Sequence, residues 1–204
     1  MNKNSLLGIF SLMMISTAIH AQSQPKNYQV VTTAVPFLTL TPDSKSASMG
    51  DAGVASAPDA NAMYWNTSKL AFVENKFGAS FSYAPWLRDI VQDMGLMSAN
   101  GYYKVSDKQT IGAGITYFDQ GDIQFTNTFG DNLEKFHSKE FSLALGIAQK
   151  LNSDFSMGLN LKFINSNLVG NTVINGQAGK PGRTGAIDLG FYYNKTRPTD
   201  KNAD

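Results

Sequence analysis

Two neighbouring segments of this chain carry an apolar side chain at every second position. Phe141, Leu143, Leu145 and Ile147 alternate with Ser142, Ala144, Gly146 and Ala148; Met157, Leu159, Leu161 and Phe163 alternate with Gly158, Asn160 and Lys162. Successive side chains leave a strand on opposite faces, so a period of two specifies strands with one apolar face and one small or polar face. The period recurs over Phe77–Tyr83, Ile111–Tyr117 and Ile187–Tyr193, and more weakly over 96–105. Beyond the N-terminus no stretch is long and apolar enough to read as a spanning helix. If the chain enters a membrane, it does so with strands.

The connections between these runs alternate in length. Ser106–Lys108 and Leu151–Asp154 are tight turns, whereas the connection after the first strand, the polar stretch 119–138 and the Gly- and Asn-rich stretch 167–183 are long. Transmembrane barrels show this asymmetry, with short periplasmic turns and longer outer loops. Aromatics stand near the strand ends, at Phe77, Tyr83, Tyr103, Tyr117, Phe141, Phe155, Phe163 and Tyr193, as interfacial girdles require. Charged residues make up 16% of the chain, against about 25% in soluble domains. A soluble exported β-sandwich would also alternate, but it seldom has one face so uniformly apolar and the other so rich in Gly, Ser and Ala. The expected class is all-β: about six strands of a partial transmembrane antiparallel β-barrel. Single-chain barrels have at least about eight strands, so residues 76–204 read as the N-terminal part of a longer wall.

The N-terminus has the order of a secretory signal: basic Lys3, an apolar stretch Leu6–Ile15, then small and polar residues to Ala21. Residues 1–21 are therefore expected to be removed. Residues 22–75 read as an extended segment followed by a plug, or hatch, rich in Ala, Ser and Gly. Gly50, Gly53 and Pro58 forbid one long helix there. A short helix is expected over Asp59–Asn66, with Asp59 as its N-cap. Met49, Gly50, Gly53, Asp59 and Trp65 are the residues expected to pack the hatch against the barrel interior.

Little in the sequence supports chemistry. There are 0 Cys, and the mature chain keeps one histidine, His137, because His20 lies in the signal. That excludes thiol catalysis and the usual His/Cys metal sites. His137 reads as a solvated loop residue. Asp51, Asp59 and Asn61 lack the spacing and terminal Glu of a Ca²⁺ loop. Gly112-x-Gly114 lies within a strand, not at the strand–helix turn a nucleotide needs. Asn66-Thr67-Ser68 matches only the weak glycosylation pattern. A net charge of +1 before removal of Lys3 argues against binding nucleic acid or other polyanions. No catalytic residue, cofactor or metal is expected, and the protein is expected not to be an enzyme. Lys162 and Asp188 are expected to face the lumen from neighbouring strands, as an ion pair or, alternatively, as part of a polar transport path.

Val35-Pro36-Phe37-Leu38-Thr39-Leu40-Thr41-Pro42-Asp43, Met49-Gly50-Asp51-Ala52-Gly53-Val54-Ala55 and Pro58-Asp59-Ala60-Asn61-Ala62-Met63-Tyr64-Trp65-Asn66 resemble the PorV family of type IX secretion barrels. Ser82-Tyr83-Ala84-Pro85-Trp86-Leu87-Arg88, Gly121–Thr126, Glu140–Ser142 and Phe163–Leu168 continue the likeness in order. Asn66-Thr67 replaces the family's frequent Asn-Pro, and Asp43-Ser44-Lys45 its Asp-Ala-Arg. The resemblance implies a FadL-like barrel of about fourteen strands, of which this chain supplies less than half.

It also implies a location in the cell outer membrane and a role in secretion. Such a barrel binds the C-terminal signal domain of secreted cargo. It then shuttles that cargo from the translocon to the surface attachment complex, which includes a sortase. The outer loop after the first strand carries the candidate partner-binding residues Trp86, Leu87, Arg88, Ile90 and Val91, since an apolar cluster rimmed by charge often marks a docking patch; the equal alternative is that Trp86 anchors at the membrane interface and the aliphatics sit among lipid headgroups. Phe125, Phe129 and Phe136 in 119–138 are a weaker candidate. The alternative is a FadL-like channel for hydrophobic molecules, with the small-residue segment as its plug. No nucleic-acid partner is expected; outer-membrane lipid is.

Overall fold

A computed structural model describes residues 35–195, apart from 88, 91–92, 127–128, 169, 171–172, 175–176 and 179. The expected signal, residues 22–34, Arg88 and Val91 lie outside the described residues. The alternating runs form strands β1 (Phe77–Pro85), β2 (Gly95–Lys104), β3 (Gln109–Thr126), β4 (Asn132–Lys150), β5 (Phe155–Asn167) and β8 (Gly182–Tyr193). They make one six-stranded antiparallel sheet in the order β1-β2-β3-β4-β5-β8. Two short strands, β6 (Val173–Ile174) and β7 (Gln177–Ala178), pair with each other in the connection before β8. The sheet is not closed, so the molecule is an all-β partial barrel. None of the described helices is long and apolar enough to cross a membrane.

Register sorts the side chains into two faces. One transverse row reads Phe77, Tyr103, Ile111, Ile147, Leu159, Leu189, and the next reads Ala79, Gly101, Ala113, Leu145, Leu161, Ile187. This outer face is exposed: Phe77 is 74%, Leu145 65% and Ile187 70% accessible. A soluble sheet would not leave so continuous an apolar surface in water. Tyr83, Tyr117 and Phe141 share a row at the long-connection end, about 20 Å along the strands from the Phe77–Tyr103 row. That spacing suits the apolar band of a membrane barrel.

The opposite, inner face carries Gly78, Tyr102, Gly112, Gly146, Asn160 and Asp188 in one row. The hatch covers it. Helix α1 (Ser44–Ser48) is capped by Asp43, whose carboxylate accepts from Ser46 N at 2.8 Å. Helix α2 (Ala62–Trp65) is followed by a 3₁₀ helix, Thr67–Phe72. The expected cap at Asp59 is corrected: Asn61 is the N-cap residue of α2 and makes no side-chain cap bond, while Asp59 instead pairs with Lys45 at 2.8 Å. Ala62, Met63, Leu70, Ala71, Val73 and Ala148 form one buried cluster. Phe37, Leu96, Phe118 and Ile164 form a second, nearer the long connections.

The polar stretch 119–138 is also corrected, because most of it is strand. β3 and β4 stay paired as far as Thr126 opposite Asn132, with irregularities at Asp119/Gly121 and Gln124/Thr126. Polar composition hid the strands, since Asp119, Gln120, Asp122, Lys135, His137 and Lys139 leave no apolar alternation to read.

Candidate functional site

Two places gather the polar side chains: the cradle where the hatch meets the inner face, and the rim at the long-connection end. The cradle is built on glycines. Gly112 and Gly146 are paired across β3 and β4, and Gly158 and Gly190 across β5 and β8. A Cβ at Gly112 would overlap Met63, at Gly146 Thr67, at Gly158 the Ser68 backbone, and at Gly190 the Asn66 side chain. The bare backbone thus forms a trough into which residues 63–68 settle. This reads Gly112 as room for the hatch, while Gly114 makes room for Asn100.

Hydrogen bonds fix the hatch along that trough. Asn160 Nδ2 donates to Met63 O at 3.1 Å, Ser156 Oγ to Ser68 O at 2.7 Å, and Asn66 Nδ2 to Phe191 O at 3.1 Å. On β1, Ser80 Oγ donates to Asn61 Oδ1 at 2.6 Å. Asn66 Oδ1 accepts from Ser68 N at 3.2 Å and Ser68 Oγ at 2.6 Å. The Asn66-Thr67-Ser68 spacing that mimics a glycosylation signal is therefore the cap of the 3₁₀ helix.

Within the hatch, Lys69 is completely buried. Its Nζ donates to Gly53 O at 2.7 Å and Ser56 Oγ at 2.9 Å, tying the 53–56 turn to the 3₁₀ helix. Burial holds its pKa below the ordinary lysine value, opposed by the nearby charge of Asp59. Tyr64 OH lies 2.7 Å from Leu38 O and 2.8 Å from Leu40 O, and burial, then Asp43 and Asp51, push its pKa up to about 12. The sequence pattern did not mark Lys69, and it marked Asn66 and Ser68 only through the weak glycosylation match and Asn160 only as an inner-face position of its strand.

The sequence-predicted hatch residues divide. Trp65 lies directly on Gly53 and donates from Nε1 to Asp43 at 2.8 Å, and Asp59 holds Lys45. Met49 and Gly50 sit at the exposed end of α1, with Gly50 at φ +69°. Beside the hatch, a cleft of about 420 Å³ is bordered by Trp65, Asn66, Asn160, Lys162 and Asp188. The ion pair expected between Lys162 and Asp188 is present at 2.7 Å.

At the rim, Trp86 turns inward and meets Phe118 edge to face at 6.2 Å, joining the cluster around Phe37. Leu87 and Ile90 stay exposed, Leu87 in the left-handed region at φ +50°. The first loop thus separates an anchor from two apolar residues held outward. Nearby, His137 lies between two carboxylates, Nδ1 2.8 Å from Asp122 and Nε2 2.9 Å from Asp119. Hydrogen bonds to Asp122 and then Asp119 raise its pKa, because only the imidazolium can donate from both nitrogens. His137 is therefore a strand residue clamped by β3, correcting its reading as a solvated loop histidine. Buried Glu140 accepts from Gln120 at 2.6 Å and Ser166 at 2.5 Å.

Among the described residues there is no group of three or more His, Cys, Asp or Glu side chains placed to hold a metal ion. The arrangement fastens a hatch to the inner face and presents a rim at the long-connection end. A family model described as type IX secretion system protein PorV matches residues 22–201. No curated protein matches the chain.

Proposed function

Because the chain belongs to the PorV family of type IX secretion system proteins, we propose that it is a non-enzymatic outer-membrane carrier. It holds the C-terminal signal domain of a cargo protein and passes it from the translocon to the surface attachment complex. Residues 1–21 direct export, residues 22–75 supply the hatch, and the strands from residue 76 onward form wall.

The observation that carries this reading, beside the family match, is the division of labour along the sheet axis. The hatch occupies the inner face through the glycine cradle, while Leu87 and Ile90 remain exposed at the long-connection end. Because the hatch covers the inner face, the reading has a cargo domain met at the rim. The channel alternative fits less well, since the hatch fills the inner face and the cleft left beside it mixes Asn66, Asn160, Lys162 and Asp188 with Val54, Met63, Trp65 and Phe191.

The test is deletion of the gene followed by analysis of surface cargo. Cargo is expected to accumulate inside the cell or to keep its C-terminal domain. Cargo that still reached the surface with that domain removed would overturn the proposal.

A further inference from the structure

We propose that the cleft beside the hatch binds a free α-amino acid with an apolar side chain, its ammonium on Asn160 and Asp188 and its carboxylate on Lys162. The proposal goes beyond cargo handling and does not rest on it. It starts from one atom. Asn160 is buried, and its Nδ2 donates to Met63 O at 3.1 Å. That bond fixes the orientation of the amide, because the flipped group would set one oxygen against another. Asn160 Oδ1 then has no hydrogen-bond partner among the described residues. A buried acceptor left unmatched is rare in a native fold and calls for a donor. Asn160 borders the cleft of about 420 Å³, so the donor comes from there. That volume lies within the range of small-molecule sites.

Charge selects the occupant. Asp188 on β8 is the register partner of Asn160 on β5, and Lys162 is the next residue on the same face of β5. Lys162 Nζ lies 2.7 Å from Asp188, whose side chain is half exposed. The cleft therefore holds two neighbouring acceptors, Asn160 Oδ1 and the Asp188 carboxylate, beside one cationic donor. As the cleft stands, Oδ1 is closed to water, and the occupant reaches it as the Lys162–Asp188 pair opens. A simple cation or anion entering there would leave Lys162 or Asp188 without its counter-charge, which is costly in a partly buried site. A zwitterion matches both charges at once. A neutral polyol leaves the pair closed and never meets Oδ1. Val54, Met63 and Trp65 complete the border with apolar surface for a side chain. The cleft is on the inner face, opposite the exposed apolar rows, so the zwitterion is a soluble one and not a lipid headgroup.

The full chain, folded in phosphatidylglycerol nanodiscs, would be titrated with leucine and followed by calorimetry. Leucine is expected to bind. N-acetylleucine lacks the ammonium and leucinol lacks the carboxylate. Each should bind about tenfold to a hundredfold more weakly, the equivalent of one lost charge-assisted hydrogen bond. Lys162→Gln and Asp188→Asn should each lower the affinity for leucine by a similar factor. Neither side chain makes the Asn160, Ser156 or Asn66 bonds that hold the hatch. Protease protection of residues 62–72, measured in parallel, checks that both variants keep it seated. Absence of leucine binding to the folded wild type, equal binding of leucine and N-acetylleucine, or equal binding of leucine and glucose would overturn the site. So would unchanged leucine affinity in both variants.

Discussion

Gly158 on β5 and Ser68 of the 3₁₀ helix lie so close that a Cβ on the glycine would overlap the Ser68 backbone nitrogen. The opposing atom is backbone and cannot swing aside. Gly158→Val is therefore expected to lift the hatch and destabilise the fold by about 1–3 kcal/mol, the usual range for overpacking. Protease cleavage within 62–72 should quicken. Wild-type protection of that segment in the variant would show that the hatch does not depend on the cradle.

Lys69→Met keeps the length and apolar stem of the side chain while removing its donor. Gly53 O then loses the bond it receives from Lys69 Nζ. Gly53 O keeps the Ser56 Oγ donor at 3.0 Å, so what is lost is a hydrogen bond from a charged group, about 1.5–3 kcal/mol. The denaturation midpoint should fall accordingly, with cleavage after residues 53–56 appearing first. Lys69→Ala should be worse, because the stem also fills space.

His137 makes the extended β3–β4 hairpin sensitive to pH. Its folded pKa is raised above the ordinary 6.5 by Asp122 and Asp119. The stabilisation is thus fully present below about 6.5 and is lost as pH rises through the folded value. Hydrogen exchange of amides 119–138, corrected for intrinsic rate, should accelerate across that window. In His137→Gln the profile should be flat; a flat wild-type profile would remove the clamp. The side chain is half exposed, so solvent screening keeps the effect local.

Leu145 sits in the middle row of the outer face and is exposed. Leu145→Arg should cost about 2–4 kcal/mol in a bilayer, as charges do at the midplane of a lipid-facing strand. Denaturant unfolding from liposomes would measure it. In a water-facing sheet the same change would be near neutral, so a null effect would contradict the membrane face.

Leu87 and Ile90 separate docking from folding. The double change Leu87→Asp and Ile90→Asp touches neither the cradle nor the Trp86–Phe118 contact. Surface cargo should fall in a complemented deletion strain while barrel level and heat-modifiable migration stay normal. Unchanged cargo would move docking elsewhere on the rim.

The wall strands were legible because lipid-facing alternation survives unbroken at Phe141–Ile147 and Met157–Phe163. The extension over 119–138 was not, because polar residues such as Asp119, Gln120, Lys135 and His137 leave it no apolar period to display. Trp86 could be placed in the first loop from sequence, yet its inward turn depends on Phe118, far away in the chain. The cradle glycines looked like ordinary small positions. Only their register reveals that Gly112, Gly146, Gly158 and Gly190 face one segment.

That cradle also acts as a gauge of strand alignment. A slip of two residues keeps every apolar side chain on the lipid side, so the outer face cannot detect it. On the inner side the same slip would bring Ser156 or Asn160 to the place of Gly158, and Asp188 or Tyr192 to that of Gly190. Each of those side chains collides with the hatch. Since residues 63–68 precede every described strand, the template against which alignment is checked is synthesised before the wall it checks.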